Sequence, residues 1–373
     1  MKRYSVQMVR DGRAKYYYIQ DSENYEIVPW ASKYLMHKVR SGKSPNTIRR
    51  EAFAVCSYFE YLHDKQLTLE DVGKLNFEKQ YEHFVAFLHC LKRGEHRAEE
   101  EKQKPIANAT CNAYLKAVFR FFNYLEMESG QGQMLKVLSY NYEYSHNSVG
   151  VRRTIQWRSF KGYLKEKENK PRAAEQDEII TILEACTNCR DQLLILLMAE
   201  TGFRIGEILG VNYCKDIDYT RHTIKACFRD DNENDARAKN AEYREAKISD
   251  DTFEFLLCYL SEYRDLLQNQ SYLFVNIEGK TAGKALKVES VYDMLDRMEK
   301  KTSIKLTPHM LRRYFANMRR KAGWGLELIQ QAIGHKNIQT TIRYLNIQDD
   351  ELLQASETFY RQHSALYPVE QLL

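Results

Sequence analysis

His309 and Arg312 stand three residues apart, so they share one face at the start of a helix. Thr307 suits the N-cap of that helix, Pro308 its first position and Gly323 its close. A helix N-terminus carries positive potential and unpaired N–H groups, and an imidazole and a guanidinium beside it make a spot fit for an anion. Further groups of the same kind recur along the chain. Gly334-His335 breaks the next helix, and Tyr344 follows in Thr340-Thr341-Ile342-Arg343-Tyr344. Upstream stands Thr201-Gly202-Phe203-Arg204-Ile205-Gly206-Glu207. Each piece alone has a plain structural reading. Respectively these are a surface pair on an amphipathic helix, a glycine cap with His335 incidental, a core-edge tyrosine among 26, and a buried Arg204 paired to Glu207. Their order and local context set them apart.

Two Arg, two His and one Tyr in this order, within these local words, resemble the tyrosine recombinase (phage integrase) family of site-specific DNA recombinases. The resemblance spans about residues 30–350. Motifs carry it in the second half, and the general character of a helical core-binding domain carries it in the first. It implies that Tyr344 is the nucleophile and that Arg204, His309, Arg312 and His335 surround the scissile phosphate. The family also uses a Lys on a β-hairpin turn. Counting back from the second expected strand puts Lys239, in Ala238-Lys239-Asn240, in that place, with Lys225 and Lys247 as fallbacks. The loop here, 229–245, is longer than the family's usual turn. Arg313 stands where many members carry a second His, a position outside the family's catalytic set. Glu207 is expected to orient its neighbours, against the reading of a surface Glu on a short helix.

The implied chemistry needs these residue types. A phosphodiester attacked by oxygen gathers negative charge on its non-bridging oxygens, and two guanidiniums can grip them with paired donors while staying charged. His335 adds a donor. A phenol with a pKa of roughly 10 must lose its proton during attack, with His309 as helper, and Lys239 would protonate the departing 5′ oxygen. The resemblance further implies a 3′-phosphotyrosyl link and a free 5′ hydroxyl, so rejoining needs no ATP, no metal and no cofactor.

Charge points to the same partner. Residues 1–172 carry 30 Lys and Arg against 20 Asp and Glu, whereas 173–373 carry 26 against 31. A basic half suggests a polyanion, against the reading of an ordinary solvated surface. Arg49, Arg50, Arg152, Arg153, Arg158 and Lys161 are the candidate DNA contacts. Hydrophobic residues make up 43% and charged ones 29%, which fits a globular chain and excludes extended disorder. No long apolar run predicts a membrane span, and the basic N-terminus lacks the apolar core of a secretory signal. The eight Cys then read as reduced thiols of a bacterial, DNA-associated cytoplasmic protein, with Cys186 and Cys189 a chance pair without a second pair to make a zinc site. No P-loop, Gly-rich nucleotide fingerprint or acidic metal cluster is visible.

The elements that must hold these residues are mostly helical. A hairpin is expected at 4–20 about Asp11-Gly12. Helices follow at 31–39, from Ser44-Pro45 with the stripe Ile48, Ala52, Val55 and Phe59, at 77–91, and from Thr110. The stretch 92–104 reads as an exposed loop and 149–172 as a basic segment leading to a domain boundary. Beyond it helices are expected at 177–185, 191–200, 203–209, 256–267, 288–300, 309–322 and 326–333 and from Thr340, with strands at 223–228 and 246–249. The fold class is mainly α with a small β-sheet: a hairpin at 1–28, a helical core DNA-binding domain at 29–165, a basic linker at 166–174, a mixed α/β catalytic domain at 175–350 and a tail helix at 351–373. That tail carries Leu352, Leu353, Ala355, Ser356, Phe359 and Tyr360 near helical spacing, and such a stripe must be buried somewhere, in cis or on a neighbouring protomer. The expected activity is site-specific recombination, serving integration, excision or transposition. Double-stranded DNA is the expected partner, bound by a homodimer or homotetramer, and the resemblance leaves accessory proteins open. The alternatives are a type IB topoisomerase-like relaxing enzyme and a non-catalytic DNA-binding regulator.

Overall fold

Gly12 takes φ of +56°, which lets the chain reverse tightly between strand β1 (Tyr4–Asp11) and strand β2 (Ala14–Asp21). The two pair antiparallel from Tyr4↔Asp21 to Asp11↔Ala14. The fold is that of a computed structural model, which describes residues 2–12, 14–95, 106–130, 134–138, 140–146, 152–158, 160–166, 172–229, 232–234, 236, 243–345, 357, 358, 361 and 362. The chain divides into two units, Met1–Asn169 and Lys170–Leu373.

In the first unit the hairpin packs on helix α1 (Pro29–Arg40) and helix α2 (Pro45–Asp64). Ser44 caps α2 by accepting the Thr47 N–H at 3.3 Å, with Pro45 in the first turn. A short helix α3 (Leu69–Lys74), opened by a Thr68–Asp71 capping box, is an element the sequence reading lacks. Helix α4 (Phe77–Arg93) ends at Gly94 and helix α5 (Asn108–Ser129) at Gly130, both left-handed. Ile48, Ala52 and Val55 of the expected α2 stripe are buried. They face an aromatic core in which Phe84 meets Phe119 edge-on at 4.9 Å between ring centres. Glu51, buried in this core, accepts hydrogen bonds from Tyr34 and, at 2.9 Å, from Arg120.

The same unit contains a second ribbon, strand β3 (Tyr140–His146) paired antiparallel with strand β4 (Arg152–Arg158). The sequence expectation treats 149–172 as a basic segment without strands. The β-forming signal is nevertheless present, in Tyr140, Tyr142 and Tyr144 on one strand and Thr154, Ile155 and Trp157 on the other. The high density of Arg obscures it. Most of the expected loop at 92–104 lies outside the described residues.

The second unit opens with helix α6 (Gln176–Ala185), helix α7 (Cys189–Thr201) and the one-turn helix α8 (Ile205–Ile208). The Leu/Ile run of α7 is enclosed, with Leu193, Leu194, Ile195 and Leu197 all 0% exposed. Strands β5 (Ile217–Asp218), β6 (Thr223–Ala226) and β7 (Arg244–Lys247) form one antiparallel sheet in that order. The expected sheet lacked β5. Helix α9 (Asp250–Glu262) starts before its expected position, because the Ser249 hydroxyl caps it at Thr252 N and two acidic residues fill its first turn. Helices α10 (Arg264–Leu267), α11 (Val288–Thr302), α12 (Pro308–Lys321), α13 (Leu326–Ile333) and α14 (Ile338–Tyr344) complete the unit. α12 packs on α7 and α13, and α13 on α14, around a small apolar cluster of Phe315, Ala316, Ile329, Ile333 and Leu345. The tail 351–373 lies outside the described residues apart from 357, 358, 361 and 362. Among the described residues no helix is long and apolar enough to cross a membrane.

Candidate active site

The C-terminal end of α13 organises the site. Three consecutive carbonyls there accept hydrogen bonds from three guanidiniums. Arg244 Nη1 donates to Ala332 O at 3.1 Å, Arg312 Nη2 to Ile333 O, and Arg204 Nη2 to Gly334 O at 3.0 Å. The last carbonyls of a helix lack intrahelical partners and mark the negative end of its dipole, so cations are stabilised there. Arg312 also reaches the end of a second helix, donating from Nη1 to Gly202 O at 2.5 Å just beyond α7.

Both turning points need glycine. Gly202 has φ of +62°, and a Cβ on it would lie 2.5 Å from the Phe315 ring. Gly334 has φ of +60°, and a Cβ there would come within 2.8 Å of the Arg244 guanidinium. The close approach of arginine to backbone at the end of α13 thus depends on the missing side chain.

Glu207 fixes Arg204. Its carboxylate accepts the Arg204 backbone N–H at 2.7 Å and Nη1 at 2.9 Å, and it also pairs with Arg244 Nη2. Glu207 is buried, so its charge must be met by such donors. Arg244, on β7, is a site residue the sequence reading missed. Its side chain is buried, and its guanidinium lies 5.2 Å from the centre of the Phe203 ring. The available signal was a charged residue in alternation with Ala246 and Ile248 on the inner face of a strand.

His335, buried at 8% exposure, has Nδ1 at 3.1 Å from the Thr341 hydroxyl. Its ring meets the Tyr344 ring edge-on at 4.6 Å. Tyr344 OH lies 3.4 Å from Nδ1 of the exposed His309. Arg313 lies over the Tyr344 ring at 4.4 Å, and Arg313 and Asn317 donate to the Tyr344 carbonyl at 3.4 and 3.3 Å. Arg204, His309, Arg312, His335 and Tyr344 therefore come together in the second unit, with Glu207 behind Arg204. Lys239 lies outside the described residues. The fallbacks Lys225 and Lys247 sit on β6 and β7.

The electrostatics are those of a site short of negative charge. Burial, and then the neighbouring Arg204, pull the Arg312 guanidinium down to about 9, which leaves it charged at neutral pH. Arg312 Nε is buried with no hydrogen-bond partner among the described residues. Burial first, then Arg312, Arg204, Arg244 and Arg313, push the His335 imidazole down to about 3, so it is neutral at pH 7. Such a cluster suits a bound oxyanion, with a phenol and an imidazole beside it. Among the described residues no group of three His, Cys, Asp or Glu is arranged to hold a metal ion. Cys186 and Cys189 are free thiols, and Cys189 donates to Glu262 at 3.2 Å.

The candidate DNA contacts lie in the first unit. Arg49 and Arg50 are exposed on α2, Arg152, Arg153 and Arg158 belong to β4, and Lys161 is exposed beyond it.

Residues 172–351 match the phage integrase family. The chain is 29% identical over 353 residues to transposase A from transposon Tn554 of Staphylococcus aureus, covering 90% of this chain and 92% of that protein. It is 26% identical over 317 residues to the tyrosine recombinase XerA of Saccharolobus solfataricus, covering 84% and 86%. In fold it is similar to the XerH site-specific recombinase bound to a palindromic difH substrate, at 18% identity and a TM-score of 0.57 over 84% of this chain and 80% of that one. It is likewise similar to a lambda integrase dimer bound to a COC′ core site, at 14% identity and a TM-score of 0.56 over 84% and 93%.

Proposed function

Through residues 172–351 this chain belongs to the phage integrase family of tyrosine recombinases, and we propose from that premise that Tyr344 cuts and rejoins double-stranded DNA at specific sites for a mobile element. The enzyme is a site-specific recombinase. The observation that carries the residue assignment is the convergence of Arg204, Arg312 and His335 on the end of α13, beside Tyr344 and His309.

The Tyr344 phenol oxygen attacks the backbone phosphorus, and the bond from phosphorus to the 5′ oxygen breaks. A 3′-phosphotyrosyl link and a 5′ hydroxyl result. His309, at 3.4 Å from the phenol, takes its proton. Arg204 and Arg312 hold the non-bridging oxygens and His335 donates a further hydrogen bond, each such aimed donor being worth about 2.7–4 kcal/mol in the transition state. Lys239 protonates the leaving 5′ oxygen. Attack by a second strand's 5′ hydroxyl then reverses the step, using the energy kept in the link.

The transposase A relative, alike over nine-tenths of both chains, supports transposition as the biological setting. DNA is held through the basic first half, with Arg49, Arg50, Arg152, Arg153, Arg158 and Lys161 among its phosphate contacts. The enzyme works as a dimer or tetramer on DNA, an assembly to which the tail 351–373 contributes. Deletion of that tail is expected to weaken assembly on DNA.

Tyr344→Phe tests the central assignment. It should bind DNA normally and form no covalent protein–DNA adduct, while the unmutated chain forms one. An unmutated chain that never forms an adduct would mark a DNA-binding regulator instead. Sequencing the DNA attached to Tyr344 gives the target site. A two-site recombination assay beside a relaxation assay separates strand exchange from topoisomerase activity.

A further inference from the structure

We propose that Thr341 is a positioning residue for the reaction, its hydroxyl donating to His335 Nδ1 and so fixing the proton of the neutral imidazole on Nε2. The inference rests on the reading above, in which His335 supplies a hydrogen bond to the phosphate. A neutral imidazole has one N–H, so only one of its two tautomers can supply that bond from Nε2.

Three observations carry the assignment. Thr341 is completely buried, and its hydroxyl lies 3.1 Å from His335 Nδ1. Among the described residues that nitrogen is the hydroxyl's one hydrogen-bond partner. If Nδ1 carried the proton and donated to the hydroxyl, the hydroxyl's own hydrogen would be buried with no acceptor among the described residues, which is costly. When the hydroxyl donates instead, both groups are satisfied and Nε2–H remains for a ligand. The His335 main chain is also held, since its N–H donates to Gln330 O at 3.1 Å and its carbonyl accepts from Gln330 Nε2 at 2.8 Å. Backbone and Nδ1 are thus both occupied, and Nε2 is left for the reaction. The spacing has a local cause. Thr341 lies one helical turn before Tyr344 on α14, so one short helix carries both the nucleophile and the group that orients the imidazole beside it.

The test uses the full-length chain labelled with 15N-histidine. His335, assigned through the His335→Gln spectrum, should show the nitrogen shifts of a neutral ring protonated on Nε2. Thr341→Val keeps the side-chain shape and removes the hydroxyl. It should lose that tautomer preference, and adduct formation on a duplex carrying the sequenced target site should slow by roughly 10- to 100-fold, by analogy with the loss of groups that orient metal-bound histidines. DNA binding should be unchanged, and Thr341→Ser should recover most of the rate and the Nε2–H spectrum. A proton on Nδ1 in the unmutated chain, a Thr341→Val enzyme of normal rate, or a Thr341→Ser enzyme as slow as Thr341→Val would each overturn the proposal. Normal adduct formation by His335→Ala would overturn the donor role of His335 itself, a failure separate from the tautomer that the spectrum reads.

Discussion

Arg312 is 1% exposed, yet it keeps its charge, because two helix ends supply the carbonyls that replace water around it. A lysine could carry the charge but not span both carbonyls and a phosphate at once. Arg312→Lys should therefore slow adduct formation by about 100- to 1,000-fold, the scale for losing one aimed donor, in a single-turnover cleavage assay. Near-normal cleavage would remove Arg312 from the phosphate grip. The local words around Arg204, Arg312, His335 and Tyr344 made these side chains legible in the sequence. Arg244 was only faintly legible, through a short alternation with Ala246 and Ile248 beside the polar Tyr243 and Glu245, and it gains its role only when β7 carries it to Glu207 and Ala332.

At the scale of elements, α13 is a short helix whose end is crowded by arginines. Gly334→Ala would force a left-handed residue to carry a Cβ and would push the Arg244 guanidinium off Glu207 and Ala332. The backbone strain alone is about 1–2 kcal/mol, so chemical denaturation should show at least that loss, with slower cleavage because Arg204 shares the same carbonyl array. Arg244→Met should cost more. It leaves Glu207 buried with one charged partner fewer, and breaking a buried pair from one side is typically worth about 3–5 kcal/mol. Unfolding at the unmutated midpoint would mean that Arg244 is not a support of this site. The elements themselves were largely visible as periodicity and caps. The β3–β4 ribbon was not, because its Arg-rich second strand looks like a solvated linker.

Taken whole, the molecule has a buried histidine in each unit that burial keeps from protonating. His83, which shares a hydrogen bond of 2.9 Å with Tyr58, is pushed down to about 4, and His335 to about 3. Unfolded, both would take up a proton near pH 6.5. Between pH 6.5 and about 4 the unfolded chain therefore holds more protons than the folded one, and stability must fall as pH drops through that window. Urea midpoints across pH 7 to 4 should show this fall, and His83→Gln should flatten the part belonging to the first unit. Midpoints that do not change with pH would mean these rings are not buried in solution. The charge asymmetry acts at the same scale, since under the proposed function the net positive half would give DNA binding a salt-sensitive component that needs no particular groove contact.

The sequence by itself determined the types and order of the residues proposed to react, the helix starts and stops that carry most of them, and the basic character of the first half. These are local properties, written in short words and periodicities. The tertiary structure decided which groups surround the residues proposed to react. Arg244 and the carbonyls of Gly202 and Ala332–Gly334 come from separate segments, and their bonds exist only because helix ends and a strand meet. A hydrogen bond between residues far apart in the chain leaves no trace in the spacing of either one.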